Sequence, residues 1–159
     1  MDFQHNFIEA CKVGDLDKVK LLLIDDRVIN FFKIADINNY AIQWASLKGH
    51  FNVVKLLLED KRINPAYDNN LGIKCASHNG HFNVVKLLLE DKRINPADTN
   101  NCAIRWASKN GHFNVIKRQL CCQRNNRVIN SFNIDNINYI KKYCSKKIRQ
   151  LVVVLQKLF

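Results

Sequence analysis

Long apolar runs are scarce in this chain. The longest, Leu21 to Ile24 and Leu151 to Leu155, fall far short of the roughly 20 residues that a bilayer-spanning helix needs. The first residues, MDFQHNFIEACKVGD, show no basic stretch followed by an apolar one, so no secretory signal is expected. Six cysteines are present, but no two are spaced C-x-x-C, and no close Cys/His cluster offers four metal ligands. Without an export signal, all six are expected as free thiols in a reducing, intracellular compartment. Gly-rich phosphate loops, paired-carboxylate constellations and zincin motifs are also missing. Enzyme activity, a metal and a cofactor are therefore not expected. What remains is ordinary globular composition, 47% apolar and 25% charged in 159 residues, which fits one domain or at most two small ones.

Acidic residues are nearly absent from one end. Residues 117–159 carry 10 Lys/Arg against the single acid Asp135, while residues 1–116 carry 15 against 13. Such asymmetry can mark a surface for nucleic acid or an anionic membrane. Arg118, Arg124, Arg127, Lys141, Lys142, Lys146, Lys147 and Arg149 would carry it, with only Tyr139 and Tyr143 interleaved. A solvated terminal cap is the competing explanation, because the whole chain is rich in Lys, Ile and Asn, with 21 Asn.

An internal repeat decides the architecture. Gly49 to Ala66 reads GHFNVVKLLLEDKRINPA, and Gly80 to Ala97 repeats those eighteen residues unchanged, 31 residues later. A third copy opens at Gly111 as GHFNVIK and diverges at Arg118. A weaker one, GDLDKVKLLLIDDRVIN, begins at Gly14, 35 residues before Gly49. Downstream, RVIN recurs at Arg127 to Asn130 after a four-residue expansion containing Cys121 and Cys122.

Each unit reads as two helices around a glycine turn. Ile42, Ala45 and Ser46 fall at i, i+3 and i+4 and form a narrow face of small residues that admits a neighbouring helix. Gly49, Gly80 and Gly111 then stand where a helix end needs positive φ. Asn52, Asn83 and Asn114, with Asp17 in the first copy, are expected to cap the second helix. That helix, with Val53, Val54, Leu56, Leu57 and Leu58, is apolar almost all round and so is expected to be buried on several sides. Asn64-Pro65 and Asn95-Pro96 end the pattern. Such a unit cannot bury its apolar faces alone, so stacked copies must share a continuous core.

The A-S-x-x-G-H-F-N-V-V-K-L-L-L run resembles the core of ankyrin repeats, and the resemblance covers roughly residues 5 to 130. The Asn-rich, 31-residue version with A-I-x-W-A-S is most similar to ankyrin proteins of large amoeba-infecting DNA viruses. An all-α solenoid is implied, with units near 5–35, 36–66, 67–97 and 98–130. Residues 131–159, where Tyr139 to Ser145 echoes Tyr40 to Ser46, are expected to form degenerate capping helices, with Ile148, Leu151, Val152 and Leu155 at helical spacing. One departure stands out. The family's T-P-L-H positions read Tyr40-Ala-Ile-Gln43, Leu71-Gly-Ile-Lys74 and Cys102-Ala-Ile-Arg105, and a charged Lys74 or Arg105 can replace a buried imidazole only by reaching water.

Other recurring residues have structural readings. His50, His81 and His112 lie about 10 Å apart if helices stack at ordinary spacing, too far to share a metal. Ser46, Ser77 and Ser108 lack a nucleophile elbow and suit close helix packing. Trp44, Cys75 and Trp106 form a large-small-large column in or near the core. Cys121-Cys122 sits in the expanded loop beside Arg118 and Arg124, with no general base in view.

The resemblance implies a non-enzymatic, monomeric scaffold that binds a protein partner on a concave surface. If the chain is viral, that partner is a host protein and the place is the host cytoplasm. Carrying the family's contact positions over gives Asp36, Ile37, Asn39, Leu47 and Lys48, then Tyr67, Asp68, Asn70, His78 and Asn79, then Asp98, Thr99, Asn101, Lys109 and Asn110. Binding of nucleic acid or an anionic surface by the basic C-terminal segment is the second reading.

Overall fold

A computed structural model describes residues 3–24, 35–96 and 98–125, with positions 142, 149 and 150; for 35–38, 98, 100 and 121–125 it describes the backbone alone. The expected capping helices over 131–159 lie outside the described residues, apart from those three positions.

Eight helices are described, in four pairs: α1 (Phe3–Val13) and α2 (Leu16–Ile24), α3 (Ala35–Lys48) and α4 (Phe51–Glu59), α5 (Tyr67–His78) and α6 (Phe82–Leu88), α7 (Asp98–Lys109) and α8 (Phe113–Asn125). No strand occurs among the described residues. The first helices α1, α3, α5 and α7 pack in series, and the second helices α2, α4, α6 and α8 form a parallel row behind them. The sequence dictates this stacking. Phe7, Ile42, Ile73 and Ile104 recur at one position and are all buried, and Ala10, Ala45, Ala76 and Ala107 are buried beside them. A side chain of alanine size lets adjacent helices approach closely, and each buried isoleucine adds apolar contact worth about 2 kcal/mol. Val53, Val54 and Leu57 in α4, repeated as Val84, Val85 and Leu88 in α6, complete the core. Leu56 and Leu58 are half-buried against it.

Each first helix ends as expected. Gly14, Gly49, Gly80 and Gly111 have φ of 82°, 78°, 73° and 74°, and the amide after each donates back to the buried alanine's carbonyl, as His50 N–H does to Ala45 at 2.9 Å. This is the left-handed helix stop that glycine makes without strain.

Two expectations are corrected. The second helix is not capped by Asn52 or Asn83: it starts at Phe51 or Phe82, with His50 or His81 in the cap position making no side-chain cap bond. Asn114 likewise lies inside α8 rather than ahead of it. In the first pair the cap is Asp15, whose Oδ1 accepts from Lys18 N–H at 3.0 Å, while Asp17 pairs with Lys20. Cys121 and Cys122 lie in α8, which runs to Asn125, and not in a loop. No Gly or Pro interrupts Phe113 to Asn125, so the extra residues prolong the helix.

Candidate functional site

Three sets of side chains hold the stack: the first and third tie each unit to its neighbour, and the second closes a unit on itself. The first is the histidine after each turn glycine. Nε2 of His50, His81 and His112 donates to the carbonyls of Lys12, Leu47 and His78, each at 2.9 Å and each one unit back. A carbonyl can only accept, so Nε2 carries the proton. The same rings press on the preceding glycines: a Cβ at Gly49 would lie 2.6 Å from His81 Nδ1. In the helix cap position, histidine thus gives up the cap and satisfies the carbonyl end of the previous first helix. Asp15 occupies the same position in the first pair and caps its own helix instead.

The second tie uses Asn39 and Asn70. Their Oδ1 atoms accept from the backbone N–H of Asn64 and Asn95, at 3.0 and 3.1 Å. Asn70 also closes a run of three left-handed residues, with Asp68, Asn69 and Asn70 at φ 50°, 53° and 62°. Asn and Asp tolerate that region better than other residues with a Cβ. The right-handed course of α5 therefore starts at Leu71, and Thr99 and Asn101 (φ 52° and 58°) repeat the conformation in the next unit.

The third tie is a pair of Asp–Arg clamps. Arg62 Nη2 and Arg93 Nη2 bond Asp60 and Asp91, while Arg62 also reaches Leu23 O at 3.2 Å and Arg93 reaches Ile63 O at 2.9 Å. The hydrogen bond from the Arg93 side chain holds the Asp91 carboxyl below its ordinary value. Burial alone would raise Asp60, but the hydrogen bonds and charge of Arg62 together outweigh it. No sequence argument above had assigned these residues a role; the signal was the D-K-R-I-N run recurring with period 31.

Against this framework the fifteen expected contact positions separate. Asn39, Asn70 and Asn101 are buried, which corrects the expectation that their side chains face a partner. Lys48, Asp68, His78, Asn79, Thr99, Lys109 and Asn110 are exposed, and Leu47 and Tyr67 are half-buried. The side chains of Asp36, Ile37 and Asp98 lie outside the described residues. Some exposed positions also join units: Asn110 Nδ2 donates to His78 O at 3.0 Å, and Thr99 Oγ1 accepts from Lys74 Nζ at 2.9 Å. Lys74 is buried, and its Nζ finds its acceptor in that hydroxyl of the next unit.

The column of Trp44, Cys75 and Trp106 is half-buried at the edge of the core. Lys12 Nζ lies 5.3 Å from the Trp44 ring centre, and the His78 ring meets Trp106 edge-on at 5.6 Å. Cys11, Cys75 and Cys102 are free thiols. Burial pushes the thiol of Cys11 up to about 12 and also raises those of Cys75 and Cys102, so none is an activated nucleophile. No group of three His, Cys, Asp or Glu suited to a metal occurs among the described residues, and none of their helices is long and apolar enough to cross a membrane.

Stacked helix-turn-helix pairs, locked through equivalent residues at a fixed period, define a helical repeat protein. The family model for ankyrin repeats in three copies matches residues 7–100, more than half of the chain, and the chain belongs to the ankyrin-repeat family. No curated protein matches it.

Proposed function

We propose that this chain is a non-enzymatic scaffold that binds a partner protein on the face formed by the ends of its first helices. One observation carries the reading. The segments from Gly49 to Ala66 and Gly80 to Ala97 are identical, yet the residues just before them differ: Leu47 and Lys48 precede the first, His78 and Asn79 the second, and Lys109 and Asn110 precede the related turn at Gly111. The frame is held constant while the surface varies, which is how stacked repeats read a partner. Resemblance to the Asn-rich ankyrin proteins of amoeba-infecting DNA viruses supports reading the chain as viral and its partner as a host protein.

The test is capture of a partner from cell lysate by two triple variants. Lys48→Ser with Asn79→Ser and Lys109→Ser alters the first-helix face. Lys55→Ser with Lys86→Ser and Lys117→Ser alters exposed positions on the second helices and removes as many lysines or more. The first should weaken capture by about tenfold or more, and the second should leave it within a few-fold. Equal losses would refute the first-helix face as the binding site, and a loss confined to nuclease-treated samples would favour nucleic acid.

A further inference from the structure

Of the chain's 21 asparagines, only Asn79 and Asn110 stand directly before a glycine. Such a step is chemically weak, because no Cβ on the glycine shields its backbone amide. That amide gives its proton to solvent, and its nitrogen attacks the asparagine Cγ. A new N–Cγ bond closes a five-membered imide, the Cγ–Nδ2 bond breaks, and ammonia leaves. Water, the one co-reactant, then opens the imide to aspartate or isoaspartate. Nothing is oxidised or reduced. The two steps share the sequence Asn-Gly-His-Phe-Asn-Val, so structure alone separates their rates.

Most of the surroundings match. Gly80 N–H donates to Ser77 O at 3.3 Å, and Gly111 N–H to Ser108 O at 3.2 Å. Both asparagine side chains are tethered through the leaving nitrogen: Asn79 Nδ2 donates to Cys75 O at 2.9 Å, and Asn110 Nδ2 donates to His78 O at 3.0 Å and meets His78 Nδ1 at 2.9 Å. These tethers are exposed, so water replaces them at small cost. Ring closure brings the glycine nitrogen round to the Cβ side; from the ψ of 1° at Asn79 this is a wide rotation, and it carries the glycine along. Here the two steps part. Gly80 lies against the ring of His112, and the bond from His112 Nε2 to His78 O spans the step. At Gly111 no described residue stands within 4 Å of the equivalent space. Gly111 is exposed, whereas Gly14, Gly49 and Gly80 are half-buried, and no histidine follows His112 in the chain.

We propose that Asn110 is a site of spontaneous deamidation in the folded protein, and that His112 protects Asn79 from the same reaction. The product carboxylate would stand just past the end of α7, where the helix dipole is negative. It would also present an oxygen to His78 O in place of a donor, which cuts a tie between the third and fourth pairs and adds negative charge beside Lys109. The chemistry does not depend on the scaffold reading.

The test holds the full chain for days in mildly alkaline buffer and reads amide-to-acid conversion at each site by peptide mass mapping. Asn110 should convert about fivefold or more faster than Asn79, the factor that the loss of one hydrogen bond sets. In the urea-unfolded chain the two rates should agree within about twofold. His112→Ala should speed Asn79 toward the rate of Asn110 while leaving the sequence neighbours of Asn79 unchanged. Lys48→Asn creates a third Asn-Gly-His step at an exposed position, under the lock of His81, and this step should be as slow as Asn79. Equal folded-state rates at Asn79 and Asn110, a difference that persists in urea, or fast conversion in Lys48→Asn would each overturn the proposal. Should His112→Ala lose helicity, Lys48→Asn, which keeps every lock, decides the matter.

Discussion

The ring of His112 occupies the space that a side chain at Gly80 would need, whereas no described residue stands within 4 Å of the equivalent space at Gly111. The two glycines have nearly the same φ, 73° and 74°, so they differ mainly in this contact. Gly111→Ala should cost about 1–2 kcal/mol, the expense of left-handed backbone with a Cβ. Gly80→Ala should cost more, because the His112 ring must also move and its hydrogen bond, worth about 1 kcal/mol, is lost. Urea denaturation of both variants checks this. With His112→Ala added, the excess at Gly80 should largely vanish; equal costs without that change would refute the lock.

Asn70 should be replaceable by glycine at less cost than by alanine, opposite to the usual order within a helix. Both substitutions delete the bond to Asn95 N–H, about 1 kcal/mol. Only alanine adds the left-handed penalty at φ 62°, about 1–2 kcal/mol. Thermal unfolding of the two variants measures the difference, and a lower midpoint for the glycine variant would contradict the assignment.

Gln119 stands where α4 and α6 carry Leu57 and Leu88, and it is 1% exposed. Its Nε2 donates to Ser77 Oγ at 2.8 Å, but its Oε1 has no partner among the described residues. Gln119→Leu should therefore stabilise the array by about 1 kcal/mol. Ser77 can turn its hydroxyl to its own helix, as Ser108 does toward Ile104 O. A lower urea midpoint in this variant would show that the inter-helix bond outweighs the orphaned oxygen.

Acid should loosen the Asp–Arg clamps. The Asp91 carboxyl lies below its ordinary value in the folded chain, chiefly through the Arg93 side-chain hydrogen bond. Its contribution to stability is therefore present above the unfolded value, about 3.9, and is lost as pH falls through the folded value. Urea midpoints should drop more steeply below about pH 4 in the wild type than in Asp91→Asn. Parallel pH profiles would sink the claim.

Cys11 should react with thiol reagents only when its unit opens. It is fully buried, and its thiol is raised to about 12. In a variant retaining Cys11 alone, labelling near neutral pH should follow the unfolding equilibrium as urea is added. Rapid labelling without denaturant would contradict the burial.

The period, the glycine stops and the aliphatic and alanine columns were legible because they depend on local rules: helix periodicity, positive φ and small residues at contacts. The ties between units were not, because their partners lie about one repeat away in sequence. His50 at a cap position gives no hint that its ring bonds Lys12 O. Asn39, Asn70 and Asn101 were read as surface because the family's contact positions were carried over to them, although their identity in three copies matched the constancy of the core rather than the variation of a reading face. The difference between Leu47, His78 and Lys109, which share one repeat position, was the better guide to the varied face.

The locks also bear on how such an array changes length. Every internal unit offers the same histidine to the unit before it and the same glycine turn and carbonyl to the unit after it. A copy inserted in frame at the 31-residue period meets neighbours it already fits, with no compensating change elsewhere. The number of units is thus a quantity that gene duplication can adjust in whole steps, while the reading positions of the new copy are free to diverge.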